Sequence, residues 1–390
     1  MSTIVVRPAE GESDRAALDA ILRESFGHPA LPWATWMERI GHENLRVATV
    51  GGEILGGLGF YRFGQYWGGR SVSLIGLAGV GVDPRARGRG IAKRFLVDTL
   101  AEARDEGVPL AGLYASSVSV YRSVGFEQTA AMIQYVAPIA ALPPGDGALA
   151  CEAYDPREDG ATRALYVERA RGWNGHLDRN PAMWERIAAP YDAVPRAYRF
   201  GDAAAPEGYV VYQELPAAGA LHFRVRIRDY ALATPAAARR ACALLYGLRS
   251  LGEELEWFGC GADPWVSLMP EERARADKYA RSMTRILDAP KALAARGYET
   301  SGEARFDLRD PLFGDVGLHV RVRDGRAEVA VEPFGRAKLT LDPRALAGLY
   351  ANSMHPSTAR AMGLLDGDEA AAHALARLFA GPEPWVCDWY

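Results

Sequence analysis

The sequence has few cysteines and lacks the residue spacing of a metal-binding protein. Its four cysteines stand far apart, no Cys-x-x-Cys pair is present, and its seven histidines are scattered along the chain. A structural zinc site or a disulfide scaffold is therefore not expected, and no metal cofactor is predicted. Isolated cysteines of this kind are usually small buried side chains in a reducing compartment, so we expect a cytoplasmic protein.

Long apolar runs and blocks of like charge are also missing. No stretch of ~18 apolar residues occurs, and the first residues carry no apolar segment behind a basic head, so neither a membrane span nor a signal peptide is predicted. The formal net charge is −4, which argues against a nucleic-acid partner. With 390 residues, of which 49% are hydrophobic and 24% charged, the chain is typical of a globular protein with two or three domains.

The order of strand and helix patterns divides the chain into three parts. Strands and helices alternate up to a Pro/Gly-rich connector at residues 143–147, which predicts a mixed α/β sheet. A strand–helix–strand order recurs before residue 285, and a run of short strands followed by two helices occupies the remainder. We therefore predict domains at residues 1–145, 146–285 and 286–390. The sequence ends on Trp385-Val386-Cys387-Asp388-Trp389-Tyr390, and an end this apolar is ordinarily buried.

The strongest chemical signal lies in residues 80–92. An apolar strand runs into a turn rich in Gly and Arg, and a helix begins immediately afterwards at Ile91. Such a helix start leaves backbone N–H groups without partners, the glycines allow close approach of a ligand, and the arginines add positive charge. The turn therefore suits a pyrophosphate, and the alternative is an exposed basic turn that caps a surface helix. The corresponding turn of the second part, residues 234–238, contains no glycine, so no second pyrophosphate site is expected there.

Several segments resemble known acyltransferases. Arg85-Ala86-Arg87-Gly88-Arg89-Gly90 resembles the Arg/Gln-x-x-Gly-x-Gly/Ala acetyl-coenzyme A signature of the GNAT superfamily. Residues 115–126, which end in Tyr-x-x-x-Gly-Phe, residues 174–179 with Trp184, and residues 285–288 are similar, in the same order, to segments of the Eis (enhanced intracellular survival) family of N-acetyltransferases. This resemblance covers essentially the whole chain. It implies an α/β (α+β) fold of tandem GNAT domains, with mixed central sheets flanked by helices, followed by a sterol-carrier-protein-like α/β domain.

The resemblance also implies roles for individual residues. Tyr121 matches the general acid that protonates the leaving thiolate, and the family's basic C-terminal carboxylate falls on Tyr390. The residues expected to hold acetyl-coenzyme A are Val80, Val82, Arg85, Arg87, Gly88, Arg89, Gly90, Ile91 and Ser116. The alternatives are a core aromatic for Tyr121, a helix N-cap for Ser116 and a buried structural plug for the aromatic end of the chain.

The acceptor pocket departs from the family pattern. His28 and Trp389 stand where some members carry acidic residues, which leaves Glu24 and Asp388 as candidate acids. The residues expected to line the pocket are Glu24, Phe26, His28, Trp33, Trp36 and Trp389. A pocket with so many aromatic rings favours a less cationic, more apolar amine.

Together these residues predict an acetyl-coenzyme A-dependent N-acetyltransferase. It would acetylate the primary amine of a small molecule, such as an antibiotic, a natural product or a lysine-like amine, by direct transfer in a ternary complex. The alternatives are a protein lysine acetyltransferase and a non-catalytic protein that binds acyl-coenzyme A and an apolar ligand. The hexamers of the Eis family imply a homo-oligomer, and no motif identifies the acceptor.

Overall fold

The computed structural model describes residues 3–27, 33–157, 159–191, 194–217 and 221–390. It divides into two compact units, of which the first comprises Met1–Ala130, Arg281–Pro384 and Trp389–Tyr390, and the second Ala131–Ala280 and Trp385–Asp388. The chain therefore passes repeatedly between the units, and its last two residues belong to the first. The predicted domain boundaries at residues 145 and 285 stay a prediction. Within the described residues, no helix is both long and apolar enough to cross a membrane.

The N-terminal part of the first unit is a mixed sheet with helices, as predicted. Its elements are β1 (Ile4–Pro8), α1 (Gly11–Phe26), α2 (Trp33–Ile40), β2 (Leu45–Val50), β3 (Glu53–Trp67), β4 (Arg70–Val82), α3 (Ile91–Asp105), β5 (Leu110–Tyr114), α4 (Val118–Arg122) and the beginning of β6 (Glu127–Pro138). Strands β1 to β4 pair antiparallel in sequence order, and β5 pairs parallel with β4. Helix α3 begins at Ile91, as predicted, and buries an apolar face that includes Phe95, Leu96 and Leu100 in one core with α4 and the sheet.

The second unit repeats a strand–helix–strand arrangement. Its elements are β7 (Cys151–Ala153), α5 (Gly160–Arg171), β8 (Leu177–Asp178), α6 (Pro181–Ala188), β9 (Arg196–Gly201), β10 (Pro206–Pro216), β11 (Phe223–Leu232), α7 (Pro235–Tyr246), β12 (Gly252–Gly259), α8 (Pro264–Leu268) and the beginning of β13 (Arg275–Ile286). The strand order is β6-β12-β11-β10-β9-β7. Strands β11 and β12 are parallel and α7 connects them, so β11-α7-β12 has the same order as β4-α3-β5.

The C-terminal part of the first unit is a five-stranded sheet with four helices. Its elements are α9 (Ala289–Ala295), β14 (Gly302–Leu308), β15 (Val316–Arg323), β16 (Arg326–Glu332), β17 (Leu339–Leu341), α10 (Pro343–Tyr350), α11 (Pro356–Ala361), β18 (Leu365–Gly367) and α12 (Glu369–Leu378). The strand order is β16-β15-β14-β17-β18. The sequence pattern predicts two helices after the short strands, whereas the structure has three, because α11 is a six-residue helix too short to show a helical period.

A buried ion pair joins the two parts of the first unit. The Arg285 guanidinium donates to both carboxylate oxygens of Asp310, at 2.8 and 2.6 Å, and its Nε donates to the Val124 carbonyl at 3.0 Å. A Cβ on Gly125, which has φ +88°, would lie 2.7 Å from Arg285 Nε. The glycine of the Tyr-x-x-x-Gly-Phe segment is therefore required both by its backbone angle and by the approach of Arg285.

Strands β4 and β5 separate soon after they begin to pair, and the ring of Tyr390 lies over the last paired residues. Their pairing runs only from Leu74↔Leu110 to Gly76↔Gly112, although β4 continues to Val82. A Cβ on Gly76 would lie 2.8 Å from ring carbons of Tyr390, and one on Gly112 would lie 2.6 Å from its hydroxyl. The two glycines therefore make room for the last ring of the sequence at the point where the strands diverge.

We expect Gly112→Ala to destabilise the protein by about 1–3 kcal/mol, because the added methyl group overlaps the Tyr390 hydroxyl. Tyr390→Phe removes that hydroxyl, so the double variant should recover most of the loss. Denaturant unfolding gives the free energy of unfolding of the two single variants and the double variant. The coupling free energy between the two substitutions should be about 0.5 kcal/mol or more. Gly147→Ala is the matched control, since a Cβ there meets nothing within 4 Å. Purely additive effects of the two substitutions would show that the Tyr390 ring does not pack against Gly112.

Candidate active site

The Gly/Arg turn presents an uncapped helix start. Gly88 and Gly90 have φ values of +77° and +79°, and a Cβ on either would meet nothing within 4 Å. Gly90 is the N-cap of α3 and supplies no side-chain hydrogen bond to the first turn of the helix. A cavity of about 570 Å³ opens beside the turn and is lined by residues that include Gly88, Arg89 and Ile91. Backbone donors, glycine angles and open space therefore coincide where the sequence predicts a pyrophosphate.

The three arginines of the turn have different environments. Arg85 pairs with Asp83 at 2.7 Å and with Glu53 at 3.0 Å, and its hydrogen bonds hold the pKa of the Asp83 carboxyl below its usual value. Arg87 and Arg89 are exposed and form no ion pair with any residue that the structure describes. Arg85 thus already has a role in holding the turn, whereas Arg87 and Arg89 are available to an anion.

The backbone of β4 has a bulge a few residues before the Gly/Arg turn. The register with β3 shifts between Gly57↔Gly81 and Gly59↔Ala78, so two residues of β4, Gly79 and Val80, stand opposite one residue of β3. Gly79 has φ +57°, which a β-bulge of this kind favours. Val80 and Val82 therefore lie on a bent strand segment beyond its pairing with β5.

Tyr121 lies on the short helix α4 that follows β5. Its side chain is buried, it packs at 6.0 Å edge-on to Phe126, and burial raises the pKa of its phenol to about 12. The N-cap of α4 is Ser117 and not Ser116, which corrects the alternative role considered for Ser116. Ser116 is exposed at the end of β5. A protonated phenol and an exposed serine thus stand at the same end of the strand.

Aromatic residues cover one face of the sheet near the bulge. The rings of Phe26 and Trp33 are 5.2 Å apart, and those of Trp33 and Trp36 are 5.4 Å apart. The Trp36 indole lies over Gly59 and Gly79, within 2.7 and 2.8 Å of the Cβ that either would carry. The structure therefore brings three of the predicted acceptor residues together. Glu24 is exposed on α1, and His28 lies outside the described residues.

The end of the sequence packs at the end of β5. The Trp389 ring lies 4.2 Å from that of Tyr114, and the Tyr390 ring lies 5.3 Å from Tyr114 and 5.0 Å from Phe63. Sequence analysis did not find Phe63, Tyr114 or the two glycines beneath Tyr390. The signal in the sequence is the presence of glycine inside two apolar strands, three in β4 and one in β5.

In the second unit, residues Trp385–Asp388 are held by a buried cluster that we call the tail clamp, formed by Arg179, Asp229, Asp388, Tyr166 and Tyr209. Arg179 Nη1 donates to Asp229 at 2.6 Å, its Nε donates to both Asp388 oxygens at 3.1 Å, and its guanidinium lies 3.7 Å from the centre of the Tyr166 ring. Tyr209 donates its hydroxyl hydrogen to Asp229 at 2.8 Å. Because Arg179 neutralises Asp388, the structure does not support Asp388 as an acidic residue of the acceptor pocket.

The segment at residues 174–179 forms the rest of this binding surface for the tail. Trp385 N donates to the Asn174 carbonyl at 3.0 Å, and the Trp385 ring lies edge-on to His176 at 4.3 Å. Burial lowers the pKa of His176 well below its usual value and raises the pKa of the Cys387 thiol to about 12. Both groups are therefore neutral, and the segment has a structural role in binding the tail.

The helix of the second unit that corresponds to α3 has a closed N-terminus. Thr234 Oγ1 accepts from Ala237 N at 3.1 Å and donates to the Glu207 carboxylate at 2.6 Å. Pro235 occupies the first turn and has no N–H group. A helix start that is capped, carries a proline and lies beside a carboxylate is poorly suited to an anion.

Comparison with known proteins assigns the domains. Residues 6–129 and residues 175–286 each match an acetyltransferase (GNAT) domain family, and residues 289–387 match the sterol carrier protein domain family. An uncharacterised N-acetyltransferase of Streptomyces avermitilis is 28% identical over 354 residues, which cover 83% of this chain and 82% of the relative. A second one, from Streptomyces griseus, is 27% identical over 356 residues, which cover 82% of this chain and 83% of the relative.

Solved structures share the whole fold. A GCN5-related N-acetyltransferase from Anabaena variabilis is 28% identical and superposes with a TM-score of 0.93, with 100% of both chains covered. Eis1 from Mycobacterium abscessus, at 22% identity, superposes with a TM-score of 0.80 over 100% of both chains and so has the same fold. The predicted fold class is confirmed. The chain is therefore a GNAT-type N-acetyltransferase, with the two GNAT domains and the sterol carrier protein domain that the resemblance to the Eis family implies.

Proposed function

We propose that this protein transfers the acetyl group of acetyl-coenzyme A to the primary amine of a small molecule. The observation that carries this proposal is the meeting of three features in the first unit: an uncapped Gly/Arg turn, the separation of β4 from β5, and an aromatic sheet face that ends on Tyr390. The turn and the strand separation suit acetyl-coenzyme A, and the aromatic face suits an amine. Location in the cytoplasm and assembly into a homo-oligomer stay predictions from the sequence.

The donor fits the first domain in two places. Arg87, Gly88, Arg89, Gly90 and the N–H group of Ile91 would hold the pyrophosphate, since their donors are not taken by a side-chain cap. The pantetheine arm would lie along β4 beyond Gly76, where Val80 and Val82 offer backbone groups to an added extended segment. Ser116 would border the thioester end.

Proton transfer is assigned to Tyr121 and the end of the chain. Attack of a neutral amine on the thioester carbonyl breaks the carbon–sulfur bond, and the departing thiolate needs a proton. Because burial keeps the pKa of Tyr121 near 12, its phenol stays protonated and can donate to that sulfur. The carboxylate of Tyr390 would accept the amine's proton. Since an ordinary carboxyl pKa of ~3.5 lies far below an ammonium pKa of ~10, orientation and desolvation of the amine are part of this role.

The acceptor would lie against the aromatic face. Phe26, Trp33 and Trp36 form one side and Trp389 belongs to the aromatic end of the chain, while the exposed Glu24 supplies a carboxylate on α1. Aromatic surfaces bind apolar and weakly cationic amines well. This composition favours an arylalkyl amine over a highly charged polyamine such as an aminoglycoside.

A thiol-release assay with acetyl-coenzyme A and a panel of amines tests the proposal directly. We expect release with at least one small primary amine and a product heavier by one acetyl group in mass spectrometry. Gly88→Val should weaken acetyl-coenzyme A binding ten-fold or more, because a β-branched residue is strained at φ +77°. Binding of acetyl-coenzyme A without turnover on any amine would instead support a non-catalytic protein that binds acyl-coenzyme A. Transfer of the acetyl group to protein lysines alone would support a protein lysine acetyltransferase.

Tyr121→Phe should lower kcat by ~10²-fold while the affinity for acetyl-coenzyme A stays within two-fold, because the change removes only a proton donor. The wild-type rate should show no loss from Tyr121 ionisation as pH rises through 10, the usual tyrosine value, since burial moves its pKa to about 12. Stopped assays of kcat against pH measure both effects. An unchanged kcat in the variant would make Tyr121 a packing residue.

Extending the chain by one glycine should inactivate the enzyme without loss of acetyl-coenzyme A binding. The extension moves the terminal carboxylate by ~3.5 Å. Misplacement of a catalytic group by ~1 Å can lower the rate by ~10²-fold. Deletion of Tyr390 should have the same effect, whereas Tyr390→Phe keeps the carboxylate and should be mild. Steady-state kinetics and calorimetry distinguish these variants. Full activity of the extended protein would refute the assignment of the carboxylate.

A further inference from the structure

A cavity of about 170 Å³ in the first unit has no role in the acetyl transfer proposed for this protein. It lies between α3, the residues that follow α4, and the start of α10 in the C-terminal part. We call it the arginine pocket. Its titratable lining residues are Lys93, Arg122, Arg285, Asp310, Asp342 and Arg344. This volume is slightly larger than the ~150 Å³ cavity that holds a benzene molecule, so it suits one compact group and not a whole nucleoside.

Most charges of the arginine pocket are paired. Arg285 and Asp310 neutralise each other, and Asp342 accepts from Arg344 N at 2.8 Å as the N-cap of α10. Arg122 and Arg344 converge on the buried carboxylate of Glu127, each through its Nε and Nη2 atoms, with shortest distances of 2.6 Å. Two arginines therefore share one negative charge, and the Nη1 group of each lies outside this pair.

Lys93 adds an uncompensated charge. It is exposed and forms no ion pair with any residue in the described part of the chain. The pocket and Glu127 together hold four cations against three carboxylates. A compact anion with several acceptor oxygens would satisfy the remaining donors, and guanidinium groups recognise phosphate well.

We propose that the arginine pocket binds the 3′-phosphate of acetyl-coenzyme A. The inference rests on the proposed function, which puts the pyrophosphate at the N-terminus of α3. Lys93 is in the first turn of that helix, only ~5 Å along its axis from the N-cap. The ribose that carries the 3′-phosphate is bonded directly to the pyrophosphate, so the pocket is within its reach. Arg344 would give the sterol carrier protein domain a part in binding the donor.

The other side of α3 offers a weaker alternative. The cavity beside Arg89 also contains Arg94, but Arg94 pairs with Asp98 at 2.8 Å, so its charge is already compensated. Among the described residues, no carboxylate beside this cavity is shared by two guanidinium groups. The geometry therefore favours the arginine pocket.

The test compares the dissociation constants of acetyl-coenzyme A and its 3′-dephospho form by calorimetry. The wild-type protein should prefer acetyl-coenzyme A by about ten- to a hundred-fold. Lys93→Gln and Arg344→Gln should each reduce this preference about five-fold or more, with the affinity for the dephospho form unchanged. That unchanged affinity also shows that each variant is folded. Arg305→Gln, the same charge change at an exposed residue of β14 outside the pocket, should keep the full preference.

The possible outcomes separate this inference from the proposed function. Equal wild-type affinity for the two compounds would overturn the assignment of the pocket but not the acetyltransferase activity. A preference that survives both pocket variants and disappears in Arg89→Gln would place the phosphate on the other side of α3 and overturn it as well. Failure of the wild-type protein to bind either compound would refute both.

Discussion

The candidate site depends on the early separation of β4 and β5. Two parallel strands that pair over only three residues leave backbone groups of β4 open along the rest of its length, and a gap of this kind needs something to fill it. The ring of Tyr390 lies over the last paired residues, Gly76 and Gly112, which leave room for it, and Phe63 and Tyr114 pack around it. The separation therefore leaves an edge of β4 unpaired with β5, and the last residue of the sequence packs where that edge begins.

The tail clamp holds residues 385–388 in place through a buried guanidinium group that two carboxylates keep charged. Burial alone would lower the pKa of Arg179, but the carboxylates of Asp229 and Asp388 raise it well above its usual value, so the guanidinium stays charged in the interior. Loss of one partner from such a pair typically costs 3–5 kcal/mol, because the remaining charge is left uncompensated. Asp388 thus serves as an anchor two residues before Tyr390. The segment at 174–179, first noticed for its resemblance to the Eis family, is part of what binds the tail.

Local signals predicted the parts of the site that are close in sequence. The start of α3 at Ile91, the Gly/Arg turn and the absence of a second such turn at Thr234 follow from the residues within a few positions of each feature. The contacts of Gly76 with Tyr390 and of Arg179 with Asp388 join residues more than 200 positions apart, and no local pattern encodes such contacts. The same limit explains why the pairing of Arg85 with Glu53 was not predicted.

The two GNAT domains show how a ligand site and a stable helix start exclude each other. In the second domain Thr234 caps α7 through Ala237, a type of contact that contributes about 1 kcal/mol, and Glu207 holds the cap by accepting the threonine's hydrogen. In the first domain Gly90 occupies the N-cap of α3 and forgoes that stabilisation. A donor used by a cap cannot also bind a phosphate, so the uncapped start of α3 is the better suited of the two to an anion. The start of α7 already has its Thr234 cap and a proline in its first turn, so its stability does not depend on a bound anion.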